Sequence, residues 1–270
     1  LTDGYRVRGT VRSLKNPAKV EPIQALASEP NSLELIEADL LSPDDWNEAV
    51  KDVDYVLHVA SPFPPGAVSD PELLIKTAKE GTLNVLKAAA ESASVKRVIL
   101  TSSILAISKG HGPQRGNHPF SEEDYTVPDG PGVSPYDASK VLAEKAAWNF
   151  VENFNKGPKK IELTVICPGF IIGPLLHNTE CTSAATVKQL LSGNLPVVLD
   201  IKFAFIDVRD VARAHVRAMR ADAATNKRIL VYTQIQGLSN IAAALAKEFG
   251  PLDYFFALNN SNIFEHQNWL

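Results

Sequence analysis

Residues 134–140 read Ser134-Pro135-Tyr136-Asp137-Ala138-Ser139-Lys140 and contain the signals of a helix start. Ser134 is a favourable N-cap, and Pro135 suits the first helical position because its ring fixes a helical φ angle. On that helix, Tyr136 and Lys140 stand one turn apart on the same face. A phenol beside an ammonium group can donate a proton, since the cation stabilises the phenolate. We therefore expect Lys140 to lower the pKa of Tyr136 from its ordinary value of about 10.

A tyrosine and a lysine at this spacing occur by chance in many helices, so the pair needs support from its neighbours. That support comes from three apolar runs, each of which predicts a buried parallel strand. Ligands of parallel α/β sheets bind at the carboxyl ends of the strands. The runs are residues 98–103, 164–169 and 56–61, and they end in Ser102-Ser103, Pro168-Gly169 and Val59-Ala60-Ser61.

Four motifs are spread along the chain: His58-Val59-Ala60-Ser61-Pro62, Thr101-Ser102-Ser103, Tyr136-x-x-x-Lys140 and Pro168-Gly169-x-x-x-Gly173-Pro174. Together they resemble the extended short-chain dehydrogenase/reductase family. Within that family, the chain is most similar to the dihydroflavonol reductase, cinnamoyl-CoA reductase and methylglyoxal reductase-like branch. The resemblance covers nearly the whole chain.

The resemblance implies a fold of the α/β class, a Rossmann-like doubly wound parallel sheet with a smaller C-terminal substrate domain. We expect residues 1–166 to form the dinucleotide-binding domain. We expect residues 167–270 to be mainly substrate-binding and to be interleaved with the first domain.

The beginning of the chain departs from the family pattern. The resemblance implies a first strand followed by a phosphate-binding G-x-x-G-x-x-G turn, and no such turn occurs in the sequence. Residues 1–4 instead read as the last turn of a helix that stops at Gly4, and residues 5–11 read as a strand. We interpret the first domain as lacking its N-terminal strand and glycine-rich loop. The tail over residues 251–270 resembles a chain that stops early.

Basic residues follow the strand predicted over residues 5–11. Arg12 comes directly after it, and Lys15 and Lys19 lie just beyond. At this place an NAD enzyme carries an acid for the ribose 2′-hydroxyl, whereas a basic residue accommodates a 2′-phosphate. No acid occurs between residues 5 and 20. We therefore predict NADP as the cofactor, bound by Arg12 and Lys19, although a solvated basic loop remains the alternative for either lysine.

The resemblance implies further cofactor contacts. In the family, an Asp-Leu pair such as Asp39-Leu40 contacts the adenine, but Asp39 could instead cap the turn into a helix over residues 43–50. His58 is interpreted as a core histidine. The remaining contacts that the resemblance implies are Val59, Ala60, Ser61, Pro168, Ile171 and Thr182, together with Tyr136 and Lys140.

The resemblance also implies catalytic roles for Ser103, Tyr136 and Lys140. Tyr136 would donate a proton to the carbonyl oxygen as hydride reaches the carbon, Lys140 would hold the nicotinamide ribose, and Ser103 would orient the carbonyl. The predicted reaction is the NADPH-dependent reduction of a ketone or aldehyde. Two alternatives remain: an NAD-dependent sugar-nucleotide epimerase or dehydratase on the same fold, and a fragment without catalytic activity.

Composition agrees with a globular enzyme. Of the 270 residues, 45% are hydrophobic and 21% charged, and the net charge of −4 does not indicate a nucleic-acid surface. No apolar run approaches the roughly 20 residues of a membrane span, and no secretory leader is visible. The two cysteines, Cys167 and Cys181, suit a reducing compartment. We expect a cytoplasmic monomer or homodimer that acts on a small-molecule carbonyl substrate and holds no metal.

Overall fold

A computed structural model describes residues 1–27, 29–63, 68–176, 182–192, 198 and 201–249. Strands and helices alternate along most of the chain. Their bounds are β1 Val7–Val11, α1 Pro17–Gln24, β2 Leu33–Glu37, α2 Pro43–Ala49, β3 Tyr55–His58, α3 Pro71–Glu91, β4 Arg97–Thr101, α4 Pro135–Phe154, β5 Glu162–Pro168, β6 Phe170–Ile172, α5 Thr182–Leu191, β7 Lys202–Asp207, α6 Val208–Arg220, β8 Arg228–Val231, β9 Gln234–Gly237 and α7 Leu238–Phe249.

The chain divides into two compact units, of which the first comprises residues 1–167 and 213–230. In this unit β1 pairs with β2 in parallel, and a four-stranded sheet runs in the order β3-β4-β5-β8. The β3–β4 and β4–β5 pairings are parallel. Helices connect successive parallel strands, as a crossover connection requires. The predicted Rossmann-like α/β class is confirmed.

Helices α3 and α4 pack against each other and cover the central strands. The core beneath them includes Val85 and Leu86 of α3, Val98 of β4 and Leu163 of β5, all of which are fully buried. Burial of each such side chain stabilises the folded state by about 1.5–3 kcal/mol, because its apolar surface is removed from water. This packing fixes α4 against the carboxyl halves of β4 and β5.

A buried arginine fastens the amino end of β4. The guanidinium of Arg97 donates to the carboxylate of Glu162 at 2.7 Å and to the carbonyl oxygens of Ala218 and Ala221 at 2.6 and 2.8 Å. Arg97 also donates to the hydroxyl of Thr225. The two carbonyls lie at the C-terminal end of α6, where backbone acceptors have no intrahelical partner. Arg97 therefore caps α6 and ties it to the sheet.

The second unit comprises residues 168–212 and 231–270. Its sheet has the order β6-β7-β9, with β6 parallel and β9 antiparallel to β7. Gly169 lies so close to β7 that a Cβ atom there would stand 2.0 Å from the carbonyl oxygen of Ala204. Only glycine fits this approach. A substrate-binding role for this unit stays a prediction.

The predicted set of helices and strands was incomplete. The basic stretch after β1 contains a helix, α1, that we did not predict, and strand β9 also escaped the sequence analysis. Cys181 lies outside the described residues.

Within the described part of the chain, no helix combines the length and the apolar character needed to cross a membrane.

Candidate active site

Helix α4 begins where the sequence predicts. The Ser134 hydroxyl accepts the N–H of Asp137 at 3.2 Å, and the Asp137 carboxylate accepts the N–H of Ser134 at 2.9 Å. This reciprocal pair is a capping box, and Pro135 occupies the first turn. The Ser139 hydroxyl donates to the carbonyl oxygen of Tyr136 at 2.7 Å. Tyr136 is therefore held in a fixed first turn rather than on a frayed helix end.

Tyr136 and Lys140 lie together on α4, with the lysine nitrogen 5.4 Å from the centre of the tyrosine ring. Lys140 is only 8% exposed, and burial lowers its pKa to about 8. The expected lowering of the Tyr136 pKa is not found. Burial raises the pKa of the phenol well above its ordinary value, and the Asp137 carboxylate adds to the rise. The phenol is therefore protonated at neutral pH.

The two serines after β4 take different partners. The Ser103 backbone is extended, and its hydroxyl accepts the N–H of Leu105 at 3.1 Å, capping a short helical turn over Ile104–Ala106. This turn packs against α4. The Ser102 hydroxyl donates to the carboxylate of Glu144 at 2.6 Å. Ser103 thus uses its hydroxyl oxygen, and within the described ranges its hydroxyl proton has no acceptor and can be donated to a ligand.

The end of β3 presents apolar side chains. Val59 is 60% exposed, Ala60 is also exposed and Ser61 is half-buried. Farther along, the ring of Phe63 stands edge-on to that of Tyr136, with ring centres 4.8 Å apart. The sequence analysis missed Phe63, although it follows directly on the His58–Pro62 motif. The segment after β3 therefore reaches the first turn of α4.

His58 is a core histidine, as predicted. It is 4% exposed and lies edge-on to Trp46, with ring centres 6.4 Å apart. Burial lowers its pKa to about 4, and the nearby charge of Lys140 adds to the effect. The imidazole is therefore neutral at physiological pH.

Basic side chains lie near the end of β1, as the sequence indicated. Arg12 and Lys19 are exposed, and neither side chain has a hydrogen-bond or ion-pair partner among the described residues. One acid that the sequence analysis did not consider lies in this region. The Glu37 carboxylate, at the end of β2, accepts the N–H of Leu14 at 2.7 Å. Glu37 is therefore engaged with the backbone that follows Arg12.

The Asp39-Leu40 pair forms a hydrogen-bonded turn. The Asp39 carboxylate accepts the N–H of Leu41 at 2.8 Å, and the carbonyl of Leu40 accepts the side-chain amide of Asn84 at 2.9 Å. The N-cap of α2 is Ser42, so Asp39 stabilises the turn before that helix without being its N-cap. These bonds support the structural alternative for Asp39. The adenine contact stays a prediction.

Pro168, Ile171 and Thr182 belong to the second unit. Pro168 is buried at the end of β5, whereas Ile171 in β6 and Thr182 at the start of α5 are half-buried. Their roles beside a nicotinamide stay predictions.

The long segment between β4 and α4 is cross-linked. The buried hydroxyl of Thr126 donates to the carbonyl of Leu105 at 2.6 Å and accepts the N–H of Lys109 at 2.9 Å. Arg115 makes a two-pronged ion pair with Asp124 at 2.8 and 2.9 Å, which lowers the pKa of Asp124 to about 2. Asp124 therefore helps to hold this segment together.

Comparisons with known proteins agree with this geometry. The sequence model of the NAD dependent epimerase/dehydratase family matches residues 1–231. The chain is 38% identical over 234 residues to cinnamoyl-CoA reductase CAD2 of Medicago truncatula, covering 86% of this chain and 70% of that protein. It is 31% identical over 241 residues to anthocyanidin reductase of Arabidopsis thaliana, covering 85% and 69%.

Among solved structures, yeast methylglyoxal/isovaleraldehyde reductase Gre2, crystallised as a complex with NADPH, superimposes with a TM-score of 0.84 at 28% identity. That match covers 96% of this chain and 81% of Gre2. The predicted resemblance to the reductase branch is confirmed by these relatives. The chain belongs to the NAD dependent epimerase/dehydratase family.

Proposed function

We propose that the protein is an NADPH-dependent reductase that transfers hydride to a ketone or aldehyde carbonyl, with Tyr136 as the proton donor. The observation that carries the proposal is the Tyr136 phenol one turn before the buried Lys140 on a capped helix, with the lysine nitrogen 5.4 Å from the ring centre. Three relatives support the reductase class: cinnamoyl-CoA reductase, anthocyanidin reductase and Gre2.

The chain offers groups that suit NADPH. Arg12 is an exposed cation at the carboxyl end of β1, where a 2′-phosphate is recognised in dinucleotide-binding folds. Lys19 adds a second positive charge on α1. Exposed Val59 and Ala60 provide apolar surface at the end of β3. The NADPH held by Gre2 is consistent with this assignment. When bound, NADPH supplies the hydride.

Each catalytic side chain has a defined role in the proposed reaction. Tyr136 donates its proton to the carbonyl oxygen as that oxygen gains negative charge during hydride transfer. Lys140 holds the nicotinamide ribose and stabilises the phenolate after the transfer. Ser103 donates its hydroxyl proton to the same oxygen, so that the developing negative charge meets a donor already in place.

Three residues of the second unit are further proposed cofactor contacts. Pro168 and Ile171 are proposed to support the nicotinamide ring, and Thr182 to contact the cofactor. The unit's variable segments would select the carbonyl substrate, because loops on such scaffolds differ most between relatives.

The proposal is tested by following NADPH oxidation with a panel of aldehydes, ketones and dihydroflavonols, and repeating each assay with NADH. Consumption of NADPH at a rate well above that of NADH, with alcohol formed in equal amount, supports it. Conversion of a nucleotide sugar without net oxidation of cofactor would establish the epimerase alternative. Absence of both reactions in a folded protein would favour a chain without catalytic activity.

A further inference from the structure

A buried carboxylate lies directly beneath the candidate catalytic groups. Glu144 is 1% exposed on α4, one turn beyond Lys140. Its oxygens accept hydrogen bonds from the Ser102 hydroxyl at 2.6 Å and the Trp148 indole at 3.2 Å. Arg228 makes an ion pair with the same carboxylate through its Nε and Nη2 atoms. The carboxylate is therefore fully engaged with protein donors.

Arg228, the cation of this ion pair, also has several partners of its own. Arg228 donates to the carbonyl oxygens of Glu122 and Asp124 at 2.6 Å each, and its guanidinium lies 3.8 Å from the ring centre of Tyr125. A buried ion pair of this kind contributes little net stability, because desolvation offsets the attraction. The ion pair instead fixes the positions of both side chains, since each partner has several directional hydrogen bonds.

Glu144 joins the elements that carry the reacting groups. Its own helix carries Tyr136 and Lys140, and its bond to Ser102 reaches the residue before Ser103. The thiol of Cys167, at the end of β5, lies 3.9 Å from the same carboxylate. Burial raises the pKa of that thiol to about 12, and the Glu144 charge adds to the rise, so Cys167 is inert. From the middle of α4, Glu144 thus contacts the residue that follows β4 and a residue near the carboxyl end of β5.

We infer that Glu144 is a positioning residue, which through the Ser102 hydroxyl fixes the orientation of Ser103 relative to Tyr136 and Lys140. Adjacent residues of an extended segment point to opposite sides. Anchoring Ser102 toward α4 therefore turns Ser103 away from Glu144 and toward the ligand side. The consequence for catalysis rests on the proposed reductase function, whereas the positioning itself does not.

The obvious variant, Glu144→Gln, leaves the Arg228 guanidinium buried without its counter-charge and threatens folding itself. The test therefore removes only the link, with Ser102→Ala. A matched control is Thr164→Val, which removes another buried hydroxyl, one that donates to the carbonyl of Ala224 at 2.7 Å away from the site. Ser102→Thr, which keeps a hydroxyl, is the rescue variant.

We expect Ser102→Ala to lower kcat between about ten- and a hundredfold, because small misplacements of catalytic groups have effects of that size. The KM and Kd for NADPH should stay unchanged, Thr164→Val should keep its kcat, and Ser102→Thr should restore activity. Equal kcat values for Ser102→Ala and Thr164→Val, at equal melting temperatures, would overturn the inference.

A second readout needs no substrate. Hydrogen exchange of the Leu105 and Ala106 amides, which are bonded to Ser103, should accelerate in Ser102→Ala and not in Thr164→Val. Unchanged exchange would refute the positioning role even if the protein proved to have another activity. Faster exchange in a protein that reduces no carbonyl would leave the positioning intact and refute the proposed function alone.

Discussion

Phe63 and Tyr136 meet edge to face, with ring centres 4.8 Å apart and ring planes at 83°. The two residues come from the segment after β3 and from the first turn of α4, so the contact joins two parts of the candidate site. Phe63 is 50% exposed, which leaves one side of its ring open beside the phenol.

The exposed face of Phe63 should contact the carbonyl substrate. Phe63→Ala is expected to raise the KM for an apolar aldehyde about two- to tenfold, which corresponds to the roughly 0.5–1.5 kcal/mol of an aromatic pair. The Kd for NADPH should not change. Leu73→Ala, at an equally exposed apolar residue of α3, is the control. Steady-state kinetics that show identical KM values for Phe63→Ala and Leu73→Ala would remove Phe63 from the substrate site.

Arg12 should set the preference between cofactors. Arg12→Ala removes a charge-assisted bond to the 2′-phosphate, worth about 1.5–3 kcal/mol, and should raise the KM for NADPH roughly ten- to a hundredfold. The KM for NADH should change little, because NADH has no 2′-phosphate. Lys87→Ala, an exposed lysine of α3, is the control. Equal effects of Arg12→Ala on both cofactors would sink the assignment.

His58 should make the fold sensitive to acid. Its pKa falls from 6.5 to about 4 on folding, so between those pH values the unfolded chain holds a proton that the folded chain lacks. The contribution of neutral His58 to the free energy of unfolding is therefore fully present above pH 6.5. It decreases as the pH falls, by up to about 3 kcal/mol at pH 4.

The acid sensitivity is measured by urea unfolding of wild type and His58→Gln across this pH range. The difference in unfolding free energy between the two proteins should shrink as the pH falls from 6.5 to 4. The titration of carboxylates affects the unfolding free energy of both proteins equally, so it cancels in the difference. A difference that stays constant with pH would mean that His58 does not titrate in this way.

Arg97 should stabilise the fold far more than its neighbour in sequence. Arg97→Met removes the buried guanidinium that caps α6 and should cost roughly 2–4 kcal/mol, the range for a few bonds to a charged group. Lys96→Met breaks an exposed ion pair with Asp54 and should cost less than about 1 kcal/mol. Denaturant midpoints compare the two variants, and equal losses would contradict the capping role.

Helix starts and buried strands could be predicted from the sequence because their signals lie within a few neighbouring residues. Ser134 and Pro135 mark the start of α4, and Asp70 marks that of α3, where its carboxylate accepts the N–H of Leu73. Cap geometry depends on residues within one turn, so it can be read from neighbours in the chain. Buried strands such as β4 and β5 were equally visible, since both of their faces are apolar.

The sequence could not predict what depends on contacts between distant segments. Glu144 reads as a charged residue on a helix, and its burial becomes intelligible only with Arg228 beside it, far along the chain. The raised pKa of Tyr136 has the same origin, because burial removes water from the phenol and the Asp137 carboxylate adds to the rise. Phe63 was missed because a single aromatic residue after Pro62 carries no periodic signal.

The central claim is that Tyr136 protonates the carbonyl oxygen during hydride transfer from NADPH. The most direct measurement mixes NADPH-loaded wild type and Tyr136→Phe with a carbonyl substrate in a stopped-flow instrument and follows the loss of NADPH fluorescence. We predict that Tyr136→Phe slows hydride transfer at least about a hundredfold, the usual contribution of a general acid, while the Kd for NADPH stays within about twofold. A Tyr136→Phe variant that retained more than about a tenth of the wild-type rate would show that another group is the acid.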